Sequence, residues 1–448
     1  MTSPRHALEI TGAGLTLAGS GAVVVAEPAW ATFEHEPVVV GHSAAAYARV
    51  APLFSSSRHL EEPTTAPLPR QKPTARCSAD LVYAQLLTLA GEHGLAAQPL
   101  LLAVSSAYSL EQLRLLVGVV RAAGCEPAGV VDAAVAAAAD LPSSGRALHL
   151  DLEMHRAVLP ELVRGEDLRR GRVDLSRTVG LRPVEDALAQ LIARTFVRAT
   201  RFDPLHQALT EQALYDRLPE WLVAAGGGEA TLVMEHGGLR HEARLAEPQL
   251  RAALAPLTAE LARLVHAARR AGEAVTLYLS GRAMAVPGLA AELGALRDLV
   301  VVPLARGAAA AGALAHGAEI AGGELALVNR LSAAPPVAAP LAAAGAAVAA
   351  PTHVVYQGRA HALGPQPLLV GRAPAGPRTL LLSGDLAGVS RSHCALVSRD
   401  GDAVLEDLST YGTFVNGERV ARRARLMAGD RIRIGTPGVA LELVRLDG

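Results

Sequence analysis

Lysine is almost missing from this chain. Lys72 is the one lysine among 42 basic residues, which excludes a Walker-type phosphate loop, whose lysine reaches the terminal phosphates of a bound nucleotide. Aromatic residues make up 3%, too few for the stacking platforms that hold single-stranded nucleic acid. A formal net charge of −1 gives no general attraction to nucleic acid or to an anionic membrane. The three cysteines, Cys77, Cys125 and Cys394, stand far apart without ligand or redox spacing. Ordinary buried thiols in a reducing cytoplasm are expected. No export signal is legible, because Glu9 and the glycines after it interrupt what would be the apolar core ahead of Ala29-Trp30-Ala31. The uncharged run from Ala333 to Ala350 contains Pro335, Pro336 and Pro340 and is mostly alanine. It reads as an extended linker rather than a membrane span, so an integral membrane protein is not expected.

Half of the 448 residues are hydrophobic, enough for sizeable cores, and the length points to two or three domains. The most specific chemistry lies between residues 351 and 446. Gly371-Arg372, Ser390-Arg391-Ser392-His393 and Ser409-Thr410-Tyr411-Gly412-Thr413-Phe414-Val415-Asn416-Gly417 follow one another, each beside a strand-like run. An arginine, hydroxyl donors and backbone N–H groups on loops are what a phosphothreonine needs, since it brings a charge of about −1.5 to −2 and three acceptor oxygens. Asn416-Gly417 reads as a two-residue turn closing a hairpin, because both residues tolerate positive φ.

These motifs resemble those of the forkhead-associated (FHA) domain. The resemblance implies a β-sandwich of about eleven strands whose loops bind a phosphothreonine in an extended peptide. It implies that Arg372 and Ser390 hold the phosphate, that Thr410 adds a hydrogen bond and that Arg391 adds positive charge. His393 would brace the loops from beneath, with Gly371, Gly412, Asn416 and Gly417 shaping them. One position departs from the pattern: Tyr411 stands where the family usually has an asparagine that grips the peptide backbone. A phenol cannot pair as an amide does, which bears on peptide selection. A sandwich that keeps the scaffold and has lost the ligand is the plainer alternative.

Residues 1–330 carry weaker signals. Leu8 to Ala18 and Gly19 to Ala26 look like short strands joined by glycine turns. Gly12, Gly14 and Ala18 also fit a dinucleotide fingerprint, but the valines, glycines and Pro28 that follow oppose the helix it requires. Strand-like Pro99 to Val104 and helical Leu110 to Ala123 precede a strand at Gly129 to Val131 and an alanine-rich helix, Ala133 to Ala139. Later come a strand ending at Asp151, a strand Val275 to Leu279 with Ser280-Gly281-Arg282, and a small-residue helix from Ala308 to Ile320. The charged run Glu161 to Arg172 reads as a solvated face. His35 and His42 read as solvated loop residues, and no metal site is expected.

This order resembles the superfamily of actins, sugar kinases and heat-shock chaperones, whose two lobes close on ATP and magnesium. The resemblance places a cleft at Glu9, Thr11, Gly12, Asp151, Glu153 and Gly281, with departures in each loop. Glu9 or Thr11 stands for an expected aspartate, Glu153 for a glycine and Arg282 for a second glycine. A glutamate there places negative charge against a polyanion. The expected organisation is therefore multidomain: an α/β actin-like two-lobed domain over 1–330, degenerate as an ATPase, an Ala/Pro linker over 331–350, and an all-β FHA domain over 351–448. The expected function is a phosphothreonine-dependent, cytoplasmic adaptor or scaffold, with no catalytic residue. Its partners would be a threonine-phosphorylated protein and the serine/threonine kinase that marks it, and not nucleic acid. The rival reading is an ATP-hydrolysing, actin-like or chaperone-like enzyme that the C-terminal domain targets. A third is a filament or secretion-apparatus scaffold.

Overall fold

The computed structural model describes residues 4–19, 22–143, 146–270, 273–321, 325–333, 351–384, 386, 388–399, 402–410, 412–415, 418–420, 422–435 and 438–445. The chain divides into two compact units. The first holds 1–261, 277–290 and 302–338, and the second holds 262–276, 291–301 and 339–448.

The hydrophobic hairpins at the start build a six-stranded sheet. Its order is Leu327–Val328, Glu126–Asp132, Pro99–Val104, His6–Thr11, Gly14–Gly19, Ala22–Pro28. The last three form an antiparallel meander, and Pro99–Val104 and Glu126–Asp132 run parallel to the strand that opens it. Gly14 must be glycine: its φ is +150°, and a Cβ there would lie 2.0 Å from the Glu27 carbonyl oxygen. The strand Gly14–Gly19 therefore occupies the place a dinucleotide fingerprint would give to a helix. A second six-stranded sheet has the order Leu299–Pro303, Val275–Leu279, Arg146–Leu152, Ala157–Arg164, Asp167–Ser176, Arg330–Ser332. It repeats the plan, with an antiparallel meander of three strands and two later strands added beside the first. Arg330–Ser332 closes its other edge and runs across the boundary expected at 330.

Helices Ser78–Glu92 and Leu110–Ala122 cover one face of the first sheet. Val82, Leu86, Leu89, Leu113, Leu116 and Val120 pack there on Leu8, Ile10, Leu15, Leu17, Leu100 and Leu102. The second of these helices starts at a capping box, where Ser109 accepts the Gln112 N–H at 3.2 Å and Gln112 returns a bond to the Ser109 N–H at 3.0 Å. The other face meets alanine-rich helices. Ala133–Ala138 and Ala308–Ala315 share one core with Ala7, Ala18, Leu101 and Val131 of the first sheet and Ala147, Leu162, Leu168 and Leu331 of the second. Small side chains let these helices approach closely: a Cβ on Gly312 would lie 1.9 Å from the Ala136 carbonyl oxygen.

Two expectations are corrected here. The helix expected from Ala308 to Ile320 is two, Ala308–Ala315 and Gly317–Ile320, separated at His316. The charged run Glu161 to Arg172 belongs to the strands Ala157–Arg164 and Asp167–Ser176 and is not simply solvated. Arg164 is buried and donates to the Ala138 and Leu141 carbonyls at 3.1 and 2.7 Å. It satisfies carbonyls at the end of the Ala133–Ala138 helix, a task that charge patterning does not reveal. Among the described residues no helix is long and apolar enough to cross a membrane.

Among the described residues, those from 351 to 445 form two antiparallel-rich sheets with eleven strands. One has the order Arg359–Ala362, His353–Tyr356, Val439–Val444, Arg431–Ile434, Thr413–Val415, Glu418–Arg419. The other has the order Thr379–Leu381, Leu368–Gly371, Cys394–Arg399, Asp402–Asp407, Arg423–Leu426. Alternation sets their faces: in Arg431–Ile434 the isoleucines are buried and Arg431 is exposed. Val370, Leu396, Leu405, Ile432, Ile434 and Leu441 meet in the core between the sheets.

Candidate functional site

Strand register brings the C-terminal motifs to one end of the sandwich. Val370 lies opposite Cys394, and Cys394 lies opposite Asp407. The residues after 371, before 394 and after 407 therefore leave the same edge as loops. Gly371 is required where the first two loops cross, because a Cβ on it would sit 2.1 Å from the Arg391 carbonyl oxygen. That close approach lets the Arg372 and Ala373 N–H groups bond the Ser390 and Arg391 carbonyls at 3.2 and 3.1 Å.

His393 is fully buried beneath these loops. Its Nδ1 accepts the Ser390 N–H at 3.1 Å, and its Nε2 lies 3.2 Å from the Gly412 carbonyl oxygen. A neutral ring protonated on Nε2 satisfies both bonds. Burial lowers the His393 pKa, outweighing the bond to Gly412 and the charge of Asp407, so the neutral form is the one held. The Thr410 loop is tied down in turn. Ser390 Oγ accepts the Thr410 N–H at 3.4 Å, Ser409 Oγ accepts the Gly412 N–H at 2.7 Å, and Asp407 accepts from Ser409 N–H at 3.1 Å and Thr413 Oγ1 at 2.7 Å. Burial raises the Asp407 pKa, but the bonds from Thr413 and Ser409 more than offset it and hold the carboxyl ionised. Gly412 takes a φ of +94° in this turn.

Arg372, Arg391 and Thr410 are exposed on the loops so fixed, and Ser390 is half-buried between them. Among the described residues neither the Arg372 nor the Arg391 guanidinium has a hydrogen bond or an ion pair. Two such cations and two hydroxyl groups on neighbouring loops are the groups that suit an anion with several acceptor oxygens. Tyr411, Asn416 and Gly417 lie outside the described residues. Asp407, which lies outside the quoted motif, and Ser409, which opens it without an assigned role, hold the Thr410 turn. Their signal was an acid and a serine placed to bond the backbone two and three residues on.

The residues expected to line the nucleotide cleft converge, but on each other. Arg282 donates to Asp151 at 2.7 and 3.1 Å and to Glu9 at 2.7 Å. Burial alone would disfavour the Arg282 charge; Asp151 and Glu9 outweigh it and raise the pKa. Asp151 is pushed up by burial and held low by Arg282, which wins. Thr11 is buried and accepts the Ala13 N–H through Oγ1 at 3.3 Å. Glu153 is also buried, pairs with Arg156 at 2.5 Å, and packs so close that a Cβ on Gly12 would lie 2.5 Å from its Oε2. Glu61, a third buried member, lies 4.0 Å from Arg156. Gly281 opens the short helix Gly281–Met284, whose cap is Ser280. The space beside Glu9, His149, Asp151, Ser280 and Arg282 is a cavity of about 30 Å³. That volume takes one water molecule. The residues present therefore do not fit a nucleotide with its metal. Arg282 entered the sequence reading only as a missing glycine, and its ion pairs were not foreseen.

No curated protein matches the chain. Residues 368–435 match the family model of the FHA domain, and this part of the chain is an FHA domain.

Proposed function

We propose that the protein is a phosphothreonine-dependent adaptor, recruited to a partner that a serine/threonine kinase has marked. The observation that carries this reading is the pair of guanidinium groups without a partner among the described residues, Arg372 and Arg391, exposed on the same loops as Ser390 and Thr410, which His393 braces. We read Arg372 and Ser390 as the phosphate-holding pair, Thr410 as a further donor and Tyr411 as a contact that tunes peptide choice. Gly371 and Gly412 we read as shaping the loops, a role the resemblance also gives to Asn416 and Gly417, which lie outside the described residues.

Residues 1–330 we read as an actin-like two-lobed domain serving as a non-hydrolysing platform, joined to an FHA domain over 351–448 by an Ala/Pro linker over 331–350, of which the strand Arg330–Ser332 takes the first residues and 334–350 lie outside the described residues. Support for the fold comes from the repeated plan of the two sheets, a meander with two later strands added beside its first strand. The exchange of alanine-rich helices between the two sheets agrees with it. Support for the absence of turnover comes from Arg282, which neutralises Glu9 and Asp151 together, and from a cavity of about 30 Å³ where small-molecule sites span roughly 300–1,000 Å³. The enzyme reading requires Asp151 to face a phosphate-sized space, and the pairing of Asp151 with Arg282 at 2.7 Å supports the other reading. A cytoplasmic location fits the three free thiols.

The deciding experiment is calorimetric titration of the full chain with a threonine-phosphorylated peptide pool and with its unphosphorylated counterpart. The phosphorylated pool should bind, and Arg372→Ala should weaken binding by about 100-fold, in line with about 3 kcal/mol for a charge-assisted hydrogen bond lost. Absence of binding, or binding unchanged in Arg372→Ala, would sink the reading. Phosphate release from magnesium ATP would restore the enzyme reading.

A further inference from the structure

A chain that carries a phosphothreonine site is itself a store of threonines, and among the described residues one of them is presented differently from the rest. A threonine bound by loops in an extended peptide must be exposed, must lie outside helices and strands whose backbone groups are already paired, and must have its hydroxyl free. Among the described residues, Thr88, Thr231 and Thr379 are exposed but belong to a helix or to strands. Thr64, Thr74 and Thr178 are exposed, yet their hydroxyls bond the Ala66 N–H at 3.1 Å, Glu36 at 3.4 Å and Ser176 at 2.9 Å. Thr410 belongs to the binding site. Thr65 remains: it is exposed, sits in a bend between Glu62 and Pro67, and makes no hydrogen bond among the described residues.

The surroundings of Thr65 favour recognition. Ser78 Oγ lies 3.0 and 3.1 Å from the Glu62 and Thr64 carbonyl oxygens and accepts the Thr64 N–H at 2.7 Å, which anchors one shoulder of the loop. Pro63 and Pro67 bracket the threonine pair. Proline fixes its own φ and restricts the residue before it, here Glu62 and Ala66 on either side of the pair, so less entropy is lost when the flanks of the bend are ordered against a partner. Glu62 is exposed three residues before Thr65, and its pairing with Arg177 at 3.8 Å is between exposed groups. Such a pair is weak. A phosphate on Thr65 brings a charge of about −1.5 to −2, and Glu62 upstream adds one more, for Arg372 and Arg391, the two site cations without a partner among the described residues.

We propose that Thr65 is a phosphorylation site and that its phosphothreonine is a ligand of the chain's own FHA site. The inference rests on the phosphothreonine reading of that site. The modifying step needs a serine/threonine kinase and ATP: the Thr65 oxygen forms a bond to the γ-phosphorus, the bond from that phosphorus to the β-phosphate oxygen breaks, ADP leaves, and the hydroxyl proton passes to the kinase base. The ligand comes from a second copy or from the same chain, and the chemistry is the same in both.

The test uses peptides of residues 60–70, phosphorylated at Thr65, at Thr64 or at neither, titrated into the full chain and its Arg372→Ala variant by fluorescence anisotropy. The Thr65 phosphopeptide should bind at least tenfold more tightly than the other two, and the variant should lose that margin. Equal binding of the Thr64 phosphopeptide overturns the assignment. Silence of the Thr65 peptide, when a mixed phosphothreonine pool binds through Arg372, overturns this inference and leaves the site reading intact; silence of both overturns both. The full chain carrying phosphothreonine at 65 then separates the sources in sedimentation. A mass that doubles with concentration identifies a second copy. An unchanged mass with the site closed to added peptide identifies the same chain, and an unchanged mass with the site open overturns the inference.

Discussion

At the scale of the residue, the arginines divide into those the fold uses and those it leaves free. Arg282 is used: it faces two carboxylates, and its charge is the condition for burying them. Removing one partner of a buried ion cluster costs roughly 3–5 kcal/mol, because the remaining charges stay uncompensated. Arg282→Ala should therefore destabilise the first unit by about that amount in urea melts. The combined change Glu9→Gln, Asp151→Asn, Arg282→Met should recover most of it. An Arg282→Ala variant as stable as the parent would show that the three side chains do not depend on one another. Arg372 and Arg391 are the opposite case, and their mutation should leave stability nearly unchanged while altering binding.

At the scale of the element, much was legible and the reasons are local. The meander at the start was visible as glycine turns between apolar runs, and the FHA loops were visible because each needs a particular residue type at a particular spacing. Gly371 is such a case, since only glycine leaves room for the Arg391 carbonyl. The alanine-rich helices were legible as helices, but not their purpose. Gly312 faces the Ala136 carbonyl oxygen at a distance that leaves no room for a methyl group. Gly312→Ala should then cost about 1–3 kcal/mol by overpacking, although alanine is the better helix former by about 1 kcal/mol. A stabilised variant would mean that propensity outweighs packing between these helices.

At the scale of the whole molecule, buried histidines make stability depend on pH. Burial pushes the His59 pKa down to about 4 against a bond to Gln85, and pushes His155 down to about 4. Burial lowers His149 and His393 as well. An unfolded histidine titrates near 6.5. Between pH 6.5 and about 4 the unfolded chain takes up protons that the folded chain refuses, so this stability is complete above 6.5 and is lost as the pH falls toward 4. For His59, which is fully buried, the loss amounts to about 3 kcal/mol at most. Burial raises the Glu61 and Glu185 pKa values, which acts in the opposite direction, so the measurement is a comparison. Trp30 and Trp221 are the two tryptophans and both lie in the first unit, so their fluorescence follows its unfolding. The fall in the urea midpoint between pH 6.5 and 4.5 should be shallower in His59→Gln than in the parent. Identical slopes would remove His59 from the account.

The FHA loops could be read from the chain because their chemistry is written within single motifs. An arginine after a glycine, a serine three residues before a histidine and a threonine two residues before a glycine each act within a few residues of where they stand. The pairing of Glu9 and Asp151 with Arg282 could not be read so. Glu9 and Arg282 are 273 residues apart, and nothing in either neighbourhood says which of the many arginines meets which acid. The ends of strands from both sheets decide it by converging on one point, where a guanidinium closes the space. The partner of a buried charge is set by three-dimensional proximity under a desolvation cost, and that proximity exists only once the chain has folded.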